Sequence, residues 1–135
     1  MDLHAEPLTG AHVEMARTQY QTVISSGKHT IIADEPAEMQ GTDTGMSPMA
    51  LLLASLGSCT SITLRMYINR KMWAVEEIGI DLVLYKIDGG TLIKRKIDIR
   101  GDITPEQKKR LEQIADACPV HRILVGNVMV ETQIA

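Results

Sequence analysis

Five segments of the chain alternate between apolar and polar residues, and this pattern predicts β-strands. They are residues 12–24, 29–34, about 77–87, about 91–101 and 125–134. Turns are predicted at Ser25-Ser26-Gly27 and at Asp88-Gly89-Gly90, since glycine accepts the positive φ of a tight turn. The first pair and the second pair of strands are therefore expected to be antiparallel hairpins.

A long uncharged stretch between these pairs predicts a helix that is apolar on nearly every side. Ser47 is a good N-cap, and Pro48 suits the first helical position because its missing N–H costs nothing there. Arg70 and Lys71 suit the negative end of the helix dipole. A helix without a polar face has to lie centrally, against other elements.

Two shorter helices are predicted near the end of the chain. Thr104 and Gln107 form a capping-box pattern, and Pro119 restarts a brief helix after Cys118. Strands, a long helix, a hairpin, two helices and a strand predict the α+β class, with helices packed against mainly antiparallel strands around a long central buried helix. The length of 135 residues predicts a single domain, 1–135.

Composition and charge argue against several kinds of function. The net charge is -3, so no general attraction to nucleic acid is expected. Residues 44–64 carry no charge, but they include six serines and threonines between 47 and 63 and lack aromatic anchors, so no membrane span is expected. The first ten residues lack the pattern of a signal peptide, and a cytoplasmic location is expected.

The two cysteines are the residues with the clearest chemical potential. Cys59 lies in the middle of the apolar helix, where burial alone would raise its pKa and leave it a structural, inert thiol. Cys118 precedes a helix start, where unpaired N–H groups and the dipole favour the thiolate. His121 is three residues later and could assist that thiol, or could be an ordinary capped or surface histidine. The ligand spacing matches no zinc motif, so no metal is expected.

The segments GTDTGMSPMALLLASLGSCTSITLRMYINRKMW and ADACPVHRIL resemble the OsmC/Ohr family of osmotically inducible and organic-hydroperoxide-resistance proteins. The resemblance implies an intertwined homodimer of α+β subunits with both cysteines at a site on the subunit interface. It also implies reduction of organic hydroperoxides, with Cys59 attacking the peroxide and Cys118 resolving the sulfenic acid to a disulfide. An external dithiol would reduce that disulfide, and no cofactor would be needed.

One position departs from the family's pattern. In the family's peroxidases a glutamate about ten residues before the first cysteine holds an arginine against its sulfur, and here this position is Met49. Glu35, His29 and Arg17 are the predicted substitutes that would activate or orient the thiol.

The leading hypothesis is a thiol peroxidase that acts through Cys59 and Cys118. The alternatives are a non-catalytic protein of the same fold that binds an apolar small molecule or senses redox state, and a purely structural dimer. The eight methionines suit an adaptable apolar pocket, although they also fill gaps in a core.

Overall fold

The computed structural model describes residues 5–15 and 17–135 of the chain. Two compact units are formed, the first ending at Leu51 and the second comprising Leu52–Ala135. The elements are β1 (His12–Met15), β2 (Thr22–Ser26), β3 (His29–Ala33), a 3₁₀ turn (Ala37–Met39), α1 (Pro48–Lys71), β4 (Ala74–Ile87), β5 (Gly90–Asp102), α2 (Pro105–Ala115) and α3 (Pro119–Val125). The predicted α+β class, with antiparallel strands and a long helix, is confirmed.

The first unit contains a three-stranded antiparallel sheet in the order β1-β2-β3. The prediction of one strand over 12–24 is wrong, because the chain turns back before β2 and pairs His12 with Ser25. The Gln21 N–H donates to the Thr18 carbonyl at 3.3 Å, and Tyr20 has a φ of 63°. This turn uses no glycine or proline, so the alternation of polarity gave no sign of it.

Asp34 fixes the loop that follows β3. Its side chain is 1% exposed and accepts hydrogen bonds from the Thr44 hydroxyl at 2.6 Å, from the Glu35 N–H at 2.7 Å and from the Thr42 hydroxyl. Burial raises the pKa of this carboxyl, but the hydrogen bonds from Thr42, Thr44 and Glu35 outweigh it and hold the pKa well below its ordinary value. An ionised Asp34 therefore organises the chain just before α1.

Helix α1 begins and ends as predicted. The Ser47 hydroxyl accepts a hydrogen bond from the Ala50 N–H at 3.2 Å, and Pro48 is the first helical residue. By length and hydropathy alone α1 is long and apolar enough to cross a membrane, a test that the core helix of a folded domain also passes. Within the described chain it is buried along one face only, at Leu56, Gly57, Thr60, Leu64, Tyr67 and Ile68.

The second unit has its core between α1, α2 and the β4-β5 hairpin. Leu64, Ile68 and Leu111 are almost completely buried there, together with Tyr67 and Ala115. Gly57 allows α1 to lie close to β4, because a Cβ at this position would be only 2.8 Å from Cδ1 of Leu82. The helix is thereby held tightly on the hairpin two residues before Cys59.

The capping box of α2 and the hairpin turn are confirmed. Thr104 accepts from the Gln107 N–H at 3.1 Å, and the Gln107 side chain accepts from the Thr104 N–H at 2.8 Å. The β4-β5 hairpin closes at Ile87 and Gly90, with Gly89 at a φ of 75°. These local signals placed both elements correctly.

The prediction of a final strand over 125–134 is wrong. Val125 ends α3, and residues 127–135 have no regular secondary structure. Val130 and Ile134 are 84% and 93% exposed. A strand needs a neighbour to satisfy its backbone groups, and no strand among the described residues pairs with this segment.

Candidate functional site

Two elements of the second unit bring the cysteines together. Cys59 lies in the middle of α1, and Cys118 is the N-cap residue of α3. The two thiols are hydrogen-bond partners, although 59 positions separate them in the sequence. Cys118 is completely buried, whereas Cys59 is only partly buried. Both are free thiols, so the site is a reduced dithiol pair.

Cys118 is the more acidic member of the pair. Burial raises its pKa, but hydrogen bonds from the Cys59 thiol, the His121 N–H, the Thr60 hydroxyl and the Val120 N–H together lower the pKa below the ordinary thiol value. The His121 N–H lies 3.4 Å from Cys118 Sγ. The N-cap position of Cys118 therefore favours its thiolate, as the sequence indicated.

The pKa of Cys59 is shifted in the opposite direction, above the ordinary thiol value. Burial raises its pKa, and the hydrogen bond and the charge of Cys118 raise it further, whereas hydrogen bonds from the Val120 N–H and the Thr63 hydroxyl lower it. The two titrations belong to the pair, because each thiol changes the ionisation of the other. When the pair has lost one proton, the charge lies mainly on Cys118 and Cys59 donates its S–H to it.

A groove of about 330 Å³ opens beside Cys59 and not beside Cys118. Its apolar wall is formed by Ile62 and Met66 of α1 and by Pro119 and Val120 of α3. The hydroxyl groups of Ser55, Ser58 and Thr63 also line it. The groove therefore gives the accessible thiol a mainly apolar surface with a few hydrogen-bonding groups, as a ligand with a hydrocarbon part requires.

A polar network lies behind Cys118. Arg95 of β5 donates from Nη1 to the Thr60 hydroxyl at 3.0 Å and from Nη2 to Asp116 Oδ1 at 2.9 Å. The Arg95 side chain is 12% exposed, and Thr60 is completely buried. The His121 imidazole lies 3.8 Å from Asp116 Oδ1. The hydroxyl of Thr60 thus connects a buried guanidinium to the more acidic thiol.

The other predicted site residues lie in different places. The backbone N–H of His121 donates to the sulfur of Cys118, the N-cap residue, while the His121 ring lies near Asp116. Arg17 and His29 are exposed in the first unit, and Glu35 follows β3 there. The roles predicted for Arg17, His29 and Glu35 beside the thiols stay predictions.

Met49, the position where the family's peroxidases carry a glutamate, lies in the first turn of α1. Its side chain is 67% exposed and has no charge to offer an arginine. Whatever activates the dithiol pair in this chain has to come from other residues.

Arg95 and Thr60 were not predicted from the sequence. Arg95 occupies one of the inward-facing positions of β5, in the same row as the partly buried Ile93, Ile97 and Ile99. An arginine on the apolar face of an alternating strand is a recognisable signal, because a buried charge needs partners. Thr60 gave no such signal, since a threonine beside a cysteine in a helix is ordinary. Among the residues that the structure describes, no group of three His, Cys, Asp or Glu side chains is arranged to hold a metal ion.

The fold and the dithiol pair together define a class of α+β proteins with one cysteine in a long helix and a second at the start of a short helix. The family model described as OsmC-like protein matches residues 41–133, which include both cysteines. The chain therefore belongs to the OsmC-like family, and the resemblance found in the sequence is confirmed.

Solved structures show the same fold. An OsmC-like protein from Mycoplasma pneumoniae has a TM-score of 0.77 and 20% identity, covering 90% of each chain. An organic hydroperoxide resistance protein OsmC from Legionella pneumophila has a TM-score of 0.63 and 20% identity, covering 92% of this chain and 93% of that one. The organic hydroperoxide resistance protein OhrB of Bacillus subtilis has a TM-score of 0.60 and 22% identity, covering 89% and 92%. No curated protein matches the chain significantly.

Proposed function

We propose that this protein is a cytoplasmic thiol peroxidase that reduces organic hydroperoxides through a Cys59/Cys118 dithiol–disulfide cycle. The single observation that carries the proposal is the hydrogen bond between the two thiols, with the accessible one facing an apolar groove. Family members of the same fold from Legionella pneumophila and Bacillus subtilis are named organic hydroperoxide resistance proteins, which supports the choice of substrate.

The reaction begins from the pair that has lost one proton. Cys118 exists as the thiolate and accepts the S–H of Cys59, so it can take that proton as a general base. Cys59 sulfur attacks the terminal oxygen of the hydroperoxide, the O–O bond breaks, and the leaving alkoxide takes the proton to become an alcohol. Cys59 is now a sulfenic acid and Cys118 is again a thiolate.

The second step closes the disulfide. The Cys118 thiolate attacks Cys59 sulfur, the S–S bond forms, and hydroxide leaves. One peroxide has been reduced by two electrons, and the dithiol has been oxidised by two. An external dithiol returns both cysteines to the reduced state by thiol–disulfide exchange.

In this mechanism the role of each cysteine follows from its surroundings. Cys59 borders the groove and has the raised pKa, so it needs a base, while Cys118 is buried and has the lowered pKa. The apolar wall formed by Ile62, Met66, Pro119 and Val120 would hold the hydrocarbon part of the substrate. A homodimer, which the family resemblance implies, would cover exposed apolar positions of α1 outside the groove, such as Met49 and Leu52.

The test is peroxide consumption by the purified, reduced protein with cumene hydroperoxide and a dithiol. The wild-type protein should consume peroxide with two thiols of the added dithiol oxidised per peroxide reduced, and Cys59→Ser should be inactive. Cys118→Ser should form a sulfenic acid but no intramolecular disulfide. Consumption by wild type no greater than by Cys59→Ser would refute the proposal.

A non-catalytic role in binding an apolar small molecule is the second candidate. The apolar wall of the groove and the raised pKa of Cys59 favour it. In that case a ligand should co-purify with the protein, and both thiols should stay reduced when the hydroperoxide is added at neutral pH.

A further inference from the structure

Arg95 occupies an unusual position for a charged residue. It belongs to the inward-facing row of β5, and its side chain is 12% exposed. A guanidinium in such a place requires hydrogen-bond acceptors. One of its partners is the carboxylate of Asp116 at 2.9 Å, which satisfies the charge. The other is not a carboxylate but the Thr60 hydroxyl at 3.0 Å.

Thr60 has one hydroxyl proton and two candidate acceptors for it. Its Oγ1 lies 2.7 Å from the Leu56 carbonyl oxygen, and it is also a hydrogen-bond partner of Cys118. One proton cannot serve both acceptors at once. When Cys118 is a thiol, its S–H can donate to Thr60 while the hydroxyl donates to Leu56. When Cys118 is a thiolate, the hydroxyl proton has to turn toward the sulfur.

The hydrogen bond from Arg95 favours the second arrangement. Because the Thr60 oxygen already accepts from a cationic donor, it is a poorer acceptor for the Cys118 S–H, and this opposes the protonated thiol. The same hydrogen bond also polarises the hydroxyl, which makes the O–H a stronger donor to a negative sulfur. A donor bonded to a charged acceptor in a buried place contributes about twice as much as one bonded to a neutral acceptor.

We propose that Arg95 is a positioning residue that acts through the Thr60 hydroxyl to stabilise negative charge on the Cys118 sulfur. The chain thereby has an arginine for thiolate activation that comes from β5 and serves the buried cysteine. The importance of this ionisation for peroxide reduction rests on the proposed function, but the ionisation itself does not depend on it.

In the part of the chain that the structure describes, few charged or titratable groups surround Cys118. Cys59 faces it from α1, Arg95 stands behind Thr60, and His121 follows it on α3 with its ring toward Asp116. Asp116 is 66% exposed, so solvent screens its effect on the thiolate. Arg95 is the buried cation of this group, and Thr60 is its route to the sulfur.

The experiment follows the ionisation of Cys118 directly. In a Cys59→Ser background the ultraviolet absorbance of the remaining thiolate is titrated with pH, and the signal of the variant without either cysteine is subtracted. Thr60→Val should raise the midpoint by about one to two pH units, the size of one hydrogen bond to a charged acceptor. Arg95→Met should raise it measurably but by less, because the Thr60 hydroxyl stays and only its polarisation is lost. Thr60→Ser keeps the hydroxyl and should keep the midpoint.

A matched control is available on the same strand. Arg100 pairs with Glu77 at 3.1 Å and is 68% exposed, so Arg100→Met should leave the midpoint unchanged. If Arg95→Met does not fold, Arg95→Lys retains the charge without the fork that bonds both partners, and it should raise the midpoint as well.

The double variant separates the proposed route from a charge acting through space. With Thr60→Val already present, Arg95→Met should cause no further shift, because the route through the hydroxyl is gone. An equal shift by Arg95→Met in both backgrounds would overturn the proposal, as would unchanged midpoints in folded Thr60→Val and Arg95→Met proteins. Since no peroxide is used, an inactive protein that shows these shifts would refute the proposed function and leave this inference intact.

Discussion

Replacing Cys118 by serine should move the pH dependence of the first reaction with peroxide to higher pH. In the wild-type protein the rate should follow the first ionisation of the pair, which is mainly that of Cys118. In Cys118→Ser the rate has to follow Cys59 alone. The change loses the hydrogen bond and charge that raise the pKa of Cys59, but burial, the largest cause, remains.

The size of the shift follows from the donors around each sulfur. Cys118 receives four, from Cys59, Thr60 and the N–H groups of His121 and Val120, whereas Cys59 on its own keeps only those of Val120 and Thr63. A hydrogen bond to a charged acceptor is worth about 1.5–3 kcal/mol, and 1.4 kcal/mol is about one pKa unit. A difference of two donors, about 3–6 kcal/mol, therefore predicts an upward shift of about two to four pH units. Loss of the general base should also slow the reaction at neutral pH by about a hundredfold.

The assay is a single-turnover measurement by stopped flow with cumene hydroperoxide over a range of pH. Trapping with dimedone followed by mass spectrometry identifies the sulfenic acid on Cys59. This measurement distinguishes slow oxidation of Cys59 from the missing second step, in which Cys118 would form the disulfide. A Cys118→Ser protein whose rate has the same inflection as the wild type would show that Cys118 is not the base. The chemistry would then begin from Cys59 by itself.

Three further predictions concern stability. The lowered pKa of Asp34 contributes stability that is complete above its unfolded value of about 4 and is lost as pH falls through the folded pKa. Asp34→Asn should therefore flatten the acid limb of chemical unfolding, and an unchanged acid limb in this variant would contradict the prediction. Oxidation of the two cysteines to a disulfide closes a loop of 59 residues and should raise the free energy of unfolding by up to about 4 kcal/mol. Urea unfolding of the oxidised and reduced proteins measures this difference, and equal midpoints would contradict the prediction. Leu111→Ala should lower the free energy of unfolding by about 2–5 kcal/mol, because Leu111 is only 1% exposed. Leu92 lies at an exposed position of β5, so an equally large decrease in Leu92→Ala would contradict this account of the core.

Elements with strong local signals were predictable from the sequence. Ser47 and Pro48 marked the start of α1, the capping box marked α2, and Asp88-Gly89 marked the β4-β5 turn. In each case a residue or short motif satisfies the backbone by itself or adopts the φ that the turn needs. Such signals do not depend on what lies elsewhere in the chain.

The two errors in the strands have the opposite cause. The turn between β1 and β2 lacks a glycine or proline, and the segment after Val125 alternates in polarity but has no neighbouring strand within the described chain. Alternation reports which residues could share a face. Whether a strand forms depends on a partner, which the local pattern does not contain.

For the site, the sequence by itself determined the two cysteines and the acidifying N-cap position of Cys118. Only the tertiary structure decided that the thiols are hydrogen-bonded, that Cys59 borders the groove, and that Arg95 reaches Thr60. The N-cap effect is carried by backbone N–H groups within three residues, so a short motif shows it. Thiol pairing and the arginine contact join elements 35 or more residues apart, and only the packing of α1, β5 and α3 brings them within hydrogen-bond distance.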